Sequence, residues 1–433
     1  MQFDLIFHRC QFAEWQEKNG LAGNYMENFY RYFVYMQEYK SDIDPNYKIP
    51  FDYKLHIVDN FKDINVTNNT FIFAPLNKDL LNYFGDNRDE FEHLYKLDEN
   101  PLVELCFDYA HESILPGNFD RYKDSQTEWF KSIEWERFSV FTFATTKIDK
   151  INRNGFKNIF YGISYVVTWF SKVTANETPH IKNKDLIYTW PNKNAPIRYF
   201  CPNNQFRPGR GQLIVRMYER GMLDDCEWNM NSYTDWINHG KWQQTIKDEL
   251  TDKYFEYFGT APKRNSWPWN KEFNFSKQET YDPFRVAEFW PDSLLNKCYI
   301  YLANETFNDY RSEQDEPEPE HYVNTETTEK VMKGFVYGMP MFVNGRQGII
   351  NDCERLGFDM FRDYMVNDYD AEPDTIKRID MMLDCAEAFP EPTAPIVQRL
   401  YDNKAHWLKK ETLWNLGDTS VDGVHFFEKL LDK

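Results

Sequence analysis

The chain has 433 residues and a net charge of −19 at pH 7, with 42% hydrophobic, 27% charged and 18% aromatic residues. At about 150 residues per domain this predicts two or three folded domains with a sizeable aromatic core, and it excludes disorder. The absence of a long apolar run or a leader-like start, and seven cysteines without Cys-x-x-Cys spacing, predict a cytoplasmic protein with free thiols and exclude a membrane span, a disulfide framework and a zinc ribbon.

In chain order, apolar patterning predicts a strand over 3–8, an aromatic helix over 24–39, strands over 54–58 and 70–74, and a helix over 76–84. A strand follows over 139–145. The apolar run at 158–172 fits either a helix or a strand pair. Beyond residue 196 the pattern is clearer. A strand at 197–201 leads to a helix at 210–220, with Leu213, Ile214 and Met217 on one face and Gly221 as its C-cap. A strand at 297–303 leads to a helix at 328–337, with Val331, Met332, Phe335 and Val336 on one side and Gly338 and Pro340 ending it. Then come a strand at 341–343, an Asn344-Gly345 turn and a helix at 347–356 that turns Ile349, Ile350 and Cys353 inward and stops at Gly357. Helices at 374–389 and 396–416 close the chain. Strands alternating with helices predict the α/β class, with parallel sheets covered on both faces.

Charge is uneven along the chain. Lys147, Lys150, Arg153, Lys157, Lys172, Lys182 and Lys184 form a basic island around Tyr165 and Trp169. It reads either as a phosphate-tracking surface or as the solvated side of an amphipathic segment. The carboxylates and prolines of 313–320 read as an exposed spacer.

Two segments carry chemistry. In Tyr199-Phe200-Cys201-Pro202-Asn203-Asn204-Gln205-Phe206-Arg207-Pro208-Gly209-Arg210 a strand runs through a loop with two arginines into a helix. A helix N-terminus and guanidinium forks both suit an anion, and ligands of open α/β sheets bind at the carboxyl ends of strands. The loop is neither a P-loop nor a G-x-G-x-x-G. In Thr328-Glu329-Lys330-Val331 a polar loop again opens a helix, with an acid and a base side by side.

These residues resemble GT-B-type glycosyltransferases, namely phage glycosyltransferases related to the fucosyltransferase and exostosin group. Asn203, Arg207 and Arg210 match one motif of that group, with Gly209 in place of a histidine. Thr328-Glu329-Lys330, Gly338-Met339-Pro340, Tyr369-Asp370 and the following Arg378 match the rest. The similarity covers about 197–220 and 298–380. It implies two Rossmann-like domains facing across a cleft. An acceptor-side domain with helical insertions would span 1–190 and a nucleotide-sugar domain 191–395, with helices of 396–433 packing back towards the first. It also implies a UDP- or GDP-sugar donor bound by Asn203, Arg207, Arg210, Thr328, Glu329 and Lys330. The cations would neutralise the diphosphate, and Glu329 would hold the ribose or the donor sugar.

An acceptor hydroxyl needs a base. Asp108, His111 and Glu112 fall at i, i+3 and i+4, one helical face, with His8 at a strand end as the competitor. The Asp-x-Asp pairs at 42–44 and 368–370 are ordinary in so acidic a chain, and no obligatory metal is expected. The acceptor alternatives are a modified base in double-stranded phage DNA, a virion protein and a surface glycan. For DNA, Lys147, Lys150, Arg153 and Lys157 are the contact candidates. A non-catalytic binding protein of the same fold, anchored by Trp267-Pro268-Trp269, is the rival reading from another class.

Overall fold

Short runs of β-branched and aromatic residues with turn residues between them build two open sheets. The computed structural model of the chain describes residues 2–18, 30, 52–75, 83–109, 129, 132–143, 157–162, 197–203, 206–230, 249–259, 263–264, 296–305, 329–355 and 357–408. The chain divides into two compact units, one of Met1–Trp169 with Leu413–Lys433 and one of Phe170–Thr412.

In the first unit β1 (Gln2–His8), β2 (Asp52–Val58), β3 (Asn69–Pro75), β4 (Val103–Tyr109), β5 (Phe138–Phe143) and β6 (Asn158–Gly162) pair in the order β2-β1-β3-β4-β5-β6. Every pairing is parallel. Helix α1 (Ala13–Lys18) follows β1, and one face of the sheet packs on α2 (Arg88–Asp98) through a column of aromatic rings. Phe107 stacks on Phe138 with centroids 4.3 Å apart, and Phe91 lies 5.6 Å from Phe138. On strands β1 and β3, Phe7 stacks on Phe73 at 4.8 Å.

In the second unit β7 (Ile197–Cys201), β8 (Cys226–Met230), the two-residue β9 (Lys263–Arg264), β10 (Cys298–Asn304) and β11 (Met341–Asn344) lie in the order β9-β8-β7-β10-β11. All pairs are parallel except β8 with β9. Numbered within the unit this is 3-2-1-4-5, the strand order of a Rossmann fold, and the order reverses between β7 and β10. All seven residues of β10 and all five of β8 are buried, as expected for strands covered on both faces.

Between the strands run α3 (Pro208–Glu219), α4 (Glu249–Phe258) and α5 (Glu329–Tyr337), and after β11 follow α6 (Ile349–Arg355), α7 (Thr375–Ala388) and α8 (Ala394–Leu408). Pro208 opens α3, where its missing N–H costs nothing. Gly221 follows α3 at φ 72°, and Gly357 follows α6 at φ 88°. A Cβ on Gly357 would lie 2.6 Å from Nε2 of His406, so that turn is closed to alanine for steric as well as conformational reasons. Helix α8 packs on α5, within the second unit.

The structure corrects the reading of Asp108. Residues 103–109 form β4, paired with β3 and β5, so Asp108 lies on a strand and shares no helical face with His111 and Glu112. The expected helix at 24–39, the acidic run at 313–320 and Trp267-Pro268-Trp269 lie outside the described residues, apart from Tyr30. Among the described residues, no helix is long and apolar enough to cross a membrane.

All seven cysteines are buried free thiols. Burial pushes the Cys201 thiol up to about 12, against smaller opposing effects of Asn203, Arg210 and Asn304, and it raises Cys298 and Cys353 further. A thiol reagent is therefore expected to find no fast-reacting cysteine in the native protein near neutral pH, and all seven after denaturation. A single rapid equivalent in the native state would contradict this burial.

Candidate functional site

The carboxyl edge of the second sheet is tied together by four asparagines. In sheet order they are Asn229 in β8, Asn203 just past β7, Asn304 ending β10 and Asn344 ending β11, each no more than 3% exposed. Oδ1 of Asn229 accepts the Asn203 N–H at 3.0 Å, and its Nδ2 donates to the Asn203 carbonyl at 2.8 Å. Asn304 Nδ2 donates to Asn203 Oδ1 at 3.0 Å, and Asn344 Nδ2 donates to Asn304 Oδ1 at 2.6 Å.

Backbone groups fix the direction of this chain. Asn203 Nδ2 donates to the Cys201 carbonyl at 3.1 Å, and Asn344 Nδ2 donates to the Gly209 carbonyl at 2.9 Å. Carbonyls only accept, so both Nδ2 assignments are forced, and the Asn304 amide between them has one orientation. The Gly209 bond also fastens the first turn of α3 to the end of β11.

The charged residues lie on the elements that leave this edge. Arg207 is the N-cap of α3, in extended backbone at φ −142°, and is half-buried. Arg210, in the first turn, is 5% exposed and close enough to bias the Cys201 thiol downward. Lys330 is the second residue of α5, and its Nζ lies 3.9 Å from Oε2 of Glu305, the residue after Asn304. The Glu305 N–H donates to the Asn344 carbonyl at 2.9 Å. The loops leaving β7, β10 and β11 are thus joined at the point where the strand order reverses.

The neighbouring motif residues brace this edge. Asp370 accepts the N–H groups of Ile350 and Asn351, both at 3.0 Å, and so caps α6. The Tyr369 hydroxyl accepts the Val343 N–H at 3.3 Å. Arg378 donates to the carbonyls of Gly345 at 3.2 Å and Glu372 at 2.6 Å. Arg346 is buried against Asp352. Asp368 bonds Arg362 at 3.0 Å, so both acids of the 368–370 Asp-x-Asp pair have structural partners.

Among the described residues, Asn203, Arg207, Arg210 and Lys330 share one edge, and Glu329 opens the same helix as Lys330. Thr328, His111, Glu112, Lys147, Lys150 and Arg153 lie outside them. His8 is fully buried. Its Nε2 meets Glu90 Oε1 at 2.8 Å, and its Nδ1 accepts the Cys10 N–H at 3.1 Å. That placement overturns its reading as a base open to an acceptor. Lys157 pairs with Glu104 at 3.1 Å and Asp98 at 3.9 Å, as an amphipathic surface would have it. Among the described residues, no group of three or more His, Cys, Asp or Glu side chains is placed to hold a metal ion.

Sequence reasoning missed Asn229, Asn304, Glu305 and Asn344. The available signal was an asparagine directly after each apolar run, in Leu302-Ala303-Asn304 and Phe342-Val343-Asn344. Chemically, the edge offers the positive end of α3, a half-buried arginine and a lysine to an anion. No family model matches the chain, and no curated protein matches it either.

Proposed function

We propose that this edge binds a nucleoside-diphosphate sugar and that the protein is a GT-B-type glycosyltransferase. The observation that carries the reading is the asparagine chain, which ties the ends of β7, β10 and β11 to the first turn of α3 at the reversal of a Rossmann strand order. In this reading Arg207 and Lys330 touch the diphosphate, and the buried Arg210 contributes through its field. Glu329 takes hydroxyls of the ribose or the donor sugar.

In the reaction, the acceptor oxygen forms a bond to the anomeric carbon as the carbon–phosphate-oxygen bond breaks. The electron pair leaves with the nucleoside diphosphate, whose charge the cations stabilise. The acceptor proton passes to a base, for which Asp108, one residue before the carboxyl end of β4, and the adjoining His111 and Glu112 are the candidates. The acceptor is a modified base in phage DNA, a virion protein or a surface glycan.

The test is a thermal-shift series with UDP, GDP, CMP and ADP. A ligand at about 100 times its Kd stabilises by about 2.7 kcal/mol, which a melting curve resolves. UDP or GDP is expected to raise Tm, and Lys330→Ala to weaken that ligand about 100-fold without lowering the unliganded Tm. If no nucleotide shifts Tm, the donor site is wrong. If one does, labelled UDP- or GDP-sugar with hydroxymethylated duplex DNA tests the acceptor.

A further inference from the structure

Helix α3 packs against both α7 and α4, and the two seams differ in kind. The seam with α7 is closed by charge: Arg216 pairs with Asp380 at 3.1 Å, and Arg220 with Asp384 at 2.8 Å and Glu387 at 3.0 Å. The seam with α4 ends in aromatic rings. Tyr218 is 51% and Tyr257 40% exposed, with their centroids 5.1 Å apart and their planes at 46°. Phe258 lies 5.4 Å from Tyr218 and 5.4 Å from the buried Trp228, which braces the pair. Exposed apolar residues scattered singly need no explanation, whereas two touching rings held in place are the makings of an interface.

The charge around the rings selects what they bind. The cations nearby already have partners, Arg216 and Arg220 on α7 and Lys253 in Glu249 at 2.8 Å and Glu219 at 3.4 Å. Asp252 and Glu256, exposed and four residues apart on α4, pair with no cation among the described residues, and Glu256 adjoins Tyr257. A group arriving here meets ring surface and uncompensated carboxylates together. A guanidinium satisfies both, because its plane stacks on a ring while its edge donates to a carboxylate, and an ammonium stacks less well. Nucleic acid, or a second copy of a chain with net charge −19, meets the same carboxylates with the wrong sign.

We propose that the seam of Tyr218 and Tyr257 docks an arginine-bearing segment of a partner protein. Helix α3 separates this surface from the donor edge: Arg207 caps its start and Tyr218 lies in its last turn, about 18 Å away along a helix of 12 residues. The proposal therefore stands whether or not that edge binds a nucleotide. The carboxylates supply the attraction and the rings the selectivity. Two exposed cation–π contacts together change affinity by about tenfold, and two exposed carboxylates by about threefold.

The experiment titrates the full chain into a fluorescein-labelled Arg-Gly-Ser repeat peptide, read by anisotropy, beside a Lys-Gly-Ser repeat of equal charge. The arginine peptide is expected to bind about threefold tighter than the lysine peptide, and both to weaken as salt rises. Tyr218→Ala with Tyr257→Ala, which leaves the charge unchanged, is expected to weaken the arginine peptide about tenfold and to erase the preference for it. Tyr218→Phe with Tyr257→Phe keeps both rings and is expected to stay within about twofold of wild type. Asp252→Asn with Glu256→Gln is expected to weaken both peptides about threefold. No binding overturns the proposal. Equal binding by wild type and the alanine variant overturns it too, because net charge alone then attracts the peptide. A wild-type dimer in sedimentation that the alanine variant dissociates overturns it in favour of a second copy on the seam. Should the alanine variant fail to fold, the two peptides decide on wild type: equal affinity contradicts ring stacking, and a preference for arginine supports it.

Discussion

Asn304→Ala is expected to lower stability by about 2–4 kcal/mol and to abolish nucleotide-induced stabilisation. The side chain bridges two buried partners, giving a hydrogen to Asn203 Oδ1 at 3.0 Å and taking one from Asn344 Nδ2 at 2.6 Å. Alanine leaves the Asn203 oxygen and one Asn344 hydrogen without those partners, in a region no more than 3% exposed. Each buried polar group stripped of its partner costs about 1–3 kcal/mol, whereas a surface amide truncation is close to neutral. The loss also breaks the direct amide link between Asn203 and Asn344. Asn203 keeps its bonds to Asn229 and Cys201, and Asn344 keeps its bond to Gly209, so that last bond alone of this amide chain still ties β11 to the loop after β7. Urea denaturation and a nucleotide titration on the same sample check both effects. Asn304→Asp makes a sharper test, because a carboxylate opposite Asn203 Oδ1 sets acceptor against acceptor. Wild-type stability in both variants would mean that the four amides are not a connected unit.

The sequence was legible where one physical signal dominated. Strand 197–201 is read to the residue, and Asp374 and Phe389 bound α7 as cap residues on either side of Thr375–Ala388. Apolar periodicity, glycine stops and a capping aspartate all agree there. It was illegible where buried polar residues break the pattern. Strand β8, Cys-Glu-Trp-Asn-Met, carries Glu227 and Asn229 at 3% and 1% exposure, so alternation cannot find it. Helix α2 turns only Phe91 and Leu94 fully inward among its apolar residues, too narrow a stripe beside six charged neighbours to stand out. The site divides in the same way. Arginines and a lysine at loop ends advertise themselves, and the charged half of the edge was visible. The amides that position it were hidden, because an asparagine in sequence reads first as a turn former. Asn344-Gly345 shows this: the asparagine belongs to β11, and its side chain binds a loop 135 residues away in the chain.

His8 shows how a residue that looks catalytic becomes structural, and Glu90→Ala measures it. We expect this substitution to cost about 3–5 kcal/mol, against about 1 kcal/mol for Glu90→Gln. Glu90 Oε1 accepts two hydrogens in a site no more than 3% exposed, from His8 Nε2 at 2.8 Å and from the Phe61 N–H at 3.0 Å. Because His8 Nδ1 already accepts the Cys10 N–H, the ring proton sits on Nε2 and points at the carboxylate. The ring is enclosed by Phe61 at 4.8 Å and Phe84 at 5.4 Å between centroids, so neither nitrogen is left for an acceptor hydroxyl. Alanine at 90 strands both donors among aromatic rings, while glutamine keeps an oxygen in place for them. If guanidinium melts instead showed Glu90→Ala within about 1 kcal/mol of wild type, water would have to reach the ring, and His8 would return as a candidate base. Sugar transfer by His8→Gln separates the roles independently of stability. A buried buttress leaves the pH profile of transfer unchanged in the folded fraction, whereas a base removes its lower limb.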